Sequence, residues 1–86
     1  MLESISVSVN YIGYLREVTG VSSEVFDVRD HSLANILGII TEKYPTLSVN
    51  ILRCAINQKL VHSGEYALTF LTLDSDLKVL IATGGG

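Results

Sequence analysis

The chain has 86 residues, of which 48% are hydrophobic and 17% charged, and its formal net charge is −3. This composition predicts one folded domain with a small core and excludes an intrinsically disordered chain, which combines low hydrophobicity with high net charge. The six Lys and Arg residues are scattered singly, so no basic stripe favours a nucleic acid or an anionic membrane as the partner.

Cysteine use and the amino terminus predict the compartment. Cys54 is the one cysteine, so the chain cannot form an internal disulfide, which favours a reducing intracellular setting. The first residues, MLESISVSVN, lack the basic and apolar regions of a secretion signal, and no apolar run approaches the roughly 20 residues that span a bilayer. We therefore expect a cytoplasmic protein in which Cys54 is a small buried hydrophobe rather than a reactive thiol.

The first two elements follow from a change in hydrophobic period. ISVSVNY alternates apolar with polar residues, which predicts a strand with one buried face. The apolar positions of that face are Ile5, Val7, Val9 and Tyr11. In GYLREVTG, Leu15 and Val18 are three residues apart, and Gly20 is placed to end a short helix.

A second strand and the main helix come next. SSEVFDV predicts a strand with Phe26 and Val28 inward, and SLANILGIITEKYP predicts an amphipathic helix. The apolar stripe of that helix consists of Leu33, Ile36, Leu37, Ile40 and Tyr44. Ser32 is the expected N-cap, and Pro45 ends the helix by forcing the preceding residue out of helical geometry. We interpret Gly38, inside the helix, as a close-packing site.

The second half of the chain reads as short strands. LRCAINQKLV predicts a hairpin with its turn at Asn57 and Gln58. YALTFLTL is compatible with a buried strand and with a loop containing one helical turn. Asp74, Ser75 and Asp76 predict a turn that leads into a last strand, LKVLIA.

These elements predict an α+β domain at residues 1–83, with a mixed four- to five-stranded sheet covered on one face by one main helix. The last strand is expected beside the first and parallel to it, because the connection between them is long. If Val79 and Ile81 face the core, Lys78, Leu80 and Ala82 face outward by alternation. Residues 84–86, all glycine, then form a flexible tail at the end of a central strand.

Four stretches carry a family likeness: YIGYLREVTG, SLANILGIITEKYP, AINQKLV and the final Gly-Gly. Together they resemble the MoaD/ThiS sulfur carriers among the ubiquitin-like β-grasp proteins, especially the small subunit of molybdopterin synthase. The chain departs from that pattern around the tail. It has Asp74-Ser75-Asp76 where Asp-Gly-Asp is common, LIAT where a Pro-Pro pair is common, and a longer stretch at EYALTFLT.

The resemblance implies a carrier rather than an enzyme. An E1-like enzyme would adenylate the C-terminal carboxylate with ATP, and a sulfur donor would displace AMP to leave a thiocarboxylate for molybdopterin biosynthesis. The carrier would hold no cofactor stably, and the large subunit of molybdopterin synthase would be a second partner. The resemblance places the reactive tail at Gly85 and Gly86. The partner-binding residues would be Leu80, Ala82, Thr83, Gly84 and Arg16.

Other interpretations remain open. The same terminus could be joined to lysines of other proteins, as in a ubiquitin-like modifier, or the domain could be an interaction module with an inert or engineered tail. Arg16 could instead form a surface salt bridge. His31 and His62 lack metal-ligand spacing, so we expect turn or surface roles for both.

Overall fold

The computed structural model describes residues 3–82, and its central feature is a five-stranded mixed sheet. The strands are β1 (Ile5–Tyr11), β2 (Ser23–Val28), β3 (Leu52–Ile56), β4 (Lys59–Val61) and β5 (Leu77–Ile81). Their order across the sheet is β2-β1-β5-β3-β4, with β5 parallel to β1 and the other pairs antiparallel. The parallel pairing and the central place of the last strand are confirmed.

Two α-helices connect the strands. The short helix α1 (Leu15–Thr19) ends at Gly20, whose φ of 80° is left-handed, as the sequence predicted. The main helix α2 (Leu33–Lys43) begins where the Ser32 hydroxyl accepts a hydrogen bond from the Asn35 N–H at 3.2 Å. One turn of 3₁₀ helix at Val49–Ile51 and a second 3₁₀ segment at Ser63–Leu68 complete the described chain. No helix within residues 3–82 is long and apolar enough to cross a membrane.

The core lies between α2 and one face of the sheet. The helix buries the first four residues of its predicted apolar stripe there, while Tyr44 is half-buried beside them. The strands contribute the inward residues that alternation predicted, and Phe26 and Ile81 pack against the core while partly exposed. This two-layer arrangement confirms the α+β fold class.

Gly38 corrects an interpretation made from the sequence. It lies on the exposed face of α2, and a Cβ built there meets no heavy atom within 4 Å. Close packing therefore does not explain the glycine. The sequence could not predict this, because the apolar stripe indicates which face of the helix is buried but not what lies over the other face.

The hairpin between β3 and β4 has a two-residue turn. Asn57 (φ 51°) and Gln58 (φ 72°) both have left-handed backbones, as the turn type that suits strand twist requires. The Asn57 N–H donates to the Asp76 carbonyl at 3.0 Å, and the Asn57 side-chain oxygen accepts from the Asp76 N–H at 2.9 Å. The turn is thereby held against the start of β5.

A partly buried carboxylate connects β2 with β1 and with the end of α2. Glu24 accepts hydrogen bonds from the Tyr11 hydroxyl at 2.8 Å and the Tyr44 hydroxyl at 2.6 Å, and it forms an ion pair with Lys43. Burial alone would raise the pKa of Glu24, but these donors hold it below its ordinary value. The pKa of Tyr11 is raised, first by burial and then by its bond to Glu24.

The sequence left two interpretations of the connection from β4 to β5, a buried strand and a loop with a helical turn, and the structure decides between them. After the 3₁₀ segment, Phe70 forms an isolated antiparallel bridge with Ser32. The Leu33 N–H donates to the Thr69 carbonyl at 2.7 Å, and the Leu71 N–H donates to the His31 carbonyl at 2.8 Å. The segment therefore is a loop with a helical turn, anchored to the entrance of α2, and a turn at residues 72–75 follows it.

Candidate functional site

The predicted site begins where β5 leaves the sheet. Val79 is fully buried, and its carbonyl accepts a hydrogen bond from the Ile12 N–H at 2.9 Å. Three residues later, the Ala82 N–H donates to the Ile51 carbonyl at 2.8 Å. Ile12 and Ile51 lie on opposite sides of β5. The end of β5 is therefore hydrogen-bonded on both sides at the point where the chain leaves the middle of the sheet.

The structure assigns positions to only some of the predicted site residues. Leu80 lies on the sheet face away from α2, opposite Arg53 of β3, and both Leu80 and Ala82 are half-buried. Arg16 lies exposed on α1. It forms no salt bridge within residues 3–82, so the surface salt bridge considered from the sequence is not present there. Thr83, Gly84, Gly85 and Gly86 lie outside the described residues.

Exposed apolar side chains surround this exit, and the sequence analysis missed them. We call Ile12, Tyr14, Val49 and Ile51 the exit collar; each is at least 38% exposed. Ile12 and Ile51 are the residues whose backbones flank β5, Tyr14 is the N-cap of α1, and Val49 shares the 3₁₀ turn with Ile51. One signal could have found Ile12, since it follows the inward-facing Tyr11 and breaks the alternation of β1.

The outer face of the sheet combines apolar and basic groups. Leu60 is exposed on β4 opposite Ala55, and Ala55 lies opposite Lys78 of β5. Lys78 is paired with Asp76 at 3.7 Å. The Arg53 guanidinium donates to the carbonyls of Asn50 at 3.0 Å and Leu52 at 2.9 Å. This face therefore offers apolar contact with a few positive charges.

The described side chains offer little chemistry of their own. Cys54 is fully buried, and burial raises the pKa of its thiol to about 11, opposed by the Tyr66 hydroxyl. It is therefore a protonated core residue at neutral pH, as expected from the sequence. His62 is exposed, His31 is half-buried, and residues 3–82 contain no group of three His, Cys, Asp or Glu side chains placed to hold a metal.

Comparison with known proteins finds solved structures that share this fold. No family model matches the sequence, and no curated protein matches it. Among solved structures, the small archaeal modifier protein 1 of Methanosarcina acetivorans superposes with a TM-score of 0.75 at 21% identity, over 98% of this chain and 99% of that one. The HVO 2177 protein of Haloferax volcanii gives a TM-score of 0.79 at 18% identity, over 96% of this chain and 88% of that one.

A third solved structure belongs to a protein assigned as molybdopterin converting factor, subunit 1, from Pyrococcus furiosus. It has a TM-score of 0.73 at 15% identity, over 93% of this chain and all of that one. At these identities the comparisons establish the fold, and this chain has the ubiquitin-like β-grasp fold that these small proteins share.

Proposed function

We propose that this chain is a cytoplasmic sulfur carrier with Gly86 as its mature terminus. An E1-like enzyme uses ATP to join the Gly86 carboxylate to AMP, releasing pyrophosphate, and sulfur from a donor then displaces AMP to give a thiocarboxylate. The sulfur goes to a molybdopterin precursor on the large subunit of molybdopterin synthase. The carrier itself supplies no catalytic group.

The observation that supports this proposal most is the anchoring of β5. Within residues 3–82, the last backbone bond of the middle strand is at Ala82, four residues before Gly86. A chain spans at most about 3.3–3.6 Å per residue, so the terminal carboxylate can reach no more than about 14 Å beyond Ala82. Because so few residues follow the hydrogen-bonded end of β5, a partner that binds the terminal carboxylate must also contact the domain near that end.

The glycines suit the chemistry of the last step. A carboxylate is a poor acyl donor until a leaving group is attached, so it must enter a partner's nucleotide site. Residues without a Cβ allow the partner's backbone to approach closely along the whole tail. Gly85 and Gly86 therefore form the reactive end, and Thr83 and Gly84 form the part that passes through the entrance.

Recognition falls to the surfaces around the exit, since glycine offers no side chain to grip. Leu80 and Ala82 supply apolar contact on the outer face of the sheet, and Arg16 supplies a positive charge on α1. The exit collar extends this surface on both flanks of β5. Apolar contact at the centre with charges near the edge is the usual composition of a protein interface.

Intact-mass analysis tests the proposal. The chain is incubated with ATP, a sulfide-level sulfur donor and the E1-like enzymes of the same organism, each in turn. We expect a mass increase equal to one oxygen-to-sulfur exchange, located at Gly86 by fragmentation. The matched controls are a chain lacking Gly85 and Gly86 and a chain extended past Gly86 by an uncleavable alanine, neither of which should gain sulfur. Absence of the exchange with every enzyme would refute the proposal.

A second candidate function is conjugation to lysines of other proteins, and the likeness to small archaeal modifier protein 1 favours it. The activated Gly86 carbonyl would form an isopeptide bond and release AMP. Because Lys78 is the last basic residue, trypsin would leave residues 79–86 attached to the target lysine. Peptide mass spectrometry of a cell lysate for this eight-residue remnant tests the idea. If deletion of Gly85 and Gly86 has no cellular effect, both candidates fail and the tail is inert.

A further inference from the structure

The connection between β4 and β5 exposes three large apolar side chains within six residues. Leu68 is 79% exposed, Phe70 57% and Leu73 71%. We call these three residues the distal patch. Single exposed leucines are ordinary on protein surfaces, but a cluster on one short segment is not.

The segment that carries the distal patch is held in place from inside. Tyr66 and Leu71 are buried in the core, and backbone bonds join Thr69 to Leu33 and Leu71 to His31. The His31 ring packs edge-on against Phe70, with 5.6 Å between ring centroids. A partner that covers this surface would not have to order it first, which removes one cost of binding.

The distal patch lies far from the point where β5 leaves the sheet. It adjoins residues 31–33, which follow β2, and the end of β2 pairs with Ile5 at the start of β1. The tail exit lies beyond the other end of β1, where Ile12 contacts Val79. At about 3.3 Å per residue, the seven residues of β1 separate the two surfaces by roughly 20 Å. One partner can therefore hold the distal patch while another takes the tail.

Three exposed carboxylates border the patch, and one of them, Asp30, accepts a hydrogen bond from the Ser32 N–H at 3.0 Å. Asp30 precedes His31, and Asp74 follows Leu73. Glu65 lies close to Thr69, since its backbone carbonyl accepts a hydrogen bond from the Thr69 hydroxyl at 2.7 Å. All three side chains are exposed, and none forms an ion pair within residues 3–82. Arg29 is the one exposed cation adjacent to them in the chain, so the border is negative overall. A second copy of this chain would bring the same charges and be repelled.

We propose that the distal patch docks a partner protein that presents an apolar surface bordered by Lys and Arg. Apolar contact at Leu68, Phe70 and Leu73 provides the affinity, and the three carboxylates provide orientation and discrimination against acidic partners. The site is independent of the chemistry at Gly86, so its failure would leave the proposed function untouched.

A designed peptide tests this inference on the full chain. The probe is an amphipathic helix with leucines on one face and lysines along its border, and the matched probe carries glutamate in place of lysine. Amide chemical-shift mapping of the isotope-labelled protein should show the lysine peptide bound at residues 30–33 and 65–74. The glutamate peptide should bind at least about tenfold more weakly at low salt, and about 0.5 M salt should remove most of the difference.

Variants separate the patch from the rest of the surface. The double variant Leu68→Ser/Phe70→Ser should weaken binding of the lysine peptide at least about tenfold. Val25→Ser, which changes an equally exposed apolar residue on β2, should leave binding unchanged. Melting temperatures verify that each variant is folded. No binding up to about 1 mM, binding mapped to the exit collar, equal affinity for the glutamate peptide, or self-association through the patch would each overturn the proposal.

Discussion

The substitution Gly38→Ala in α2 should stabilise the protein. Gly38 lies in the middle of the helix on its exposed face, and a Cβ there meets nothing within 4 Å, so no clash offsets the gain. The Thr41 hydroxyl donates to the Gly38 carbonyl at 3.1 Å, a bond that alanine keeps. The expected stabilisation comes from the higher helix propensity of alanine and from the lower entropy of the unfolded chain. Together they raise the free energy of unfolding by about 0.8 kcal/mol. For a domain of this size that corresponds to a rise in melting temperature of roughly 3–6 °C.

Gly20→Ala is the matched control for this prediction. Gly20 also has open space around its Cβ position, but its φ of 80° is left-handed, so alanine should cost about 1 kcal/mol there. Urea denaturation of both variants, fitted with one common slope, measures the two changes in the free energy of unfolding. Opposite signs are expected. A destabilised Gly38→Ala protein would refute the open-space geometry and restore close packing as the reason for the glycine.

Three further predictions concern the β3–β4 turn, the Glu24 carboxylate and the exit of β5. Gln58→Gly should raise the free energy of unfolding by about 1 kcal/mol in urea titrations, because glycine adopts the left-handed turn without strain; a loss would contradict the turn geometry. Glu24→Gln should cost about 1–3 kcal/mol at neutral pH. Because the folded-state pKa of Glu24 is lowered, its contribution is complete above the unfolded pKa and is lost as the pH falls through the folded one. Unfolding measured from neutral pH to about pH 3 should therefore show a shallower acid loss in Glu24→Gln than in the native chain, and parallel curves would contradict this. Ile12→Ser combined with Ile51→Ser should slow thiocarboxylation about tenfold at low carrier concentration while the fold persists, with Val25→Ser as control; an unchanged rate would remove the exit collar from the docking surface.

The sequence predicted those parts of the fold in which one period dominates. Alternation located β1, and the helical stripe with Ser32 and Pro45 located α2. The turn at Asn57 was readable because asparagine tolerates a left-handed backbone. The YALTFLTL stretch was not readable, because its hydrogen bonds run to His31 and Leu33, far away in the chain. An isolated bridge of that kind leaves no periodic signal in the sequence.

The sequence predicted the part of the candidate site that lies on β5. It did not predict the residues that neighbouring segments bring beside that strand. Parity gave the faces of Val79 and Leu80, since both lie on one regular strand. The exit collar depends on where the Ile12 and Val49–Ile51 segments approach β5, which is tertiary information. Glu24 shows the same limit: its three donors come from β1 and from the end of α2, and nothing in SSEVFDV predicts these bonds.

The short tail and the exit collar impose a joint condition on any partner. With Gly86 as the proposed terminus, covalent length alone keeps its carboxylate within about 14 Å of Ala82, so the acceptor site of the proposed partner must lie that close to the surface that meets the domain. Ile12 and Ile51 flank the departing strand through backbone bonds, so they cannot move away without breaking those hydrogen bonds to β5. Under this proposal, a partner that reaches the carboxylate contacts the collar or bridges it with a narrow channel. Two partners that both need the Gly86 carboxylate would exclude each other at this end, so a partner that binds at the same time would use another surface, such as the proposed distal patch.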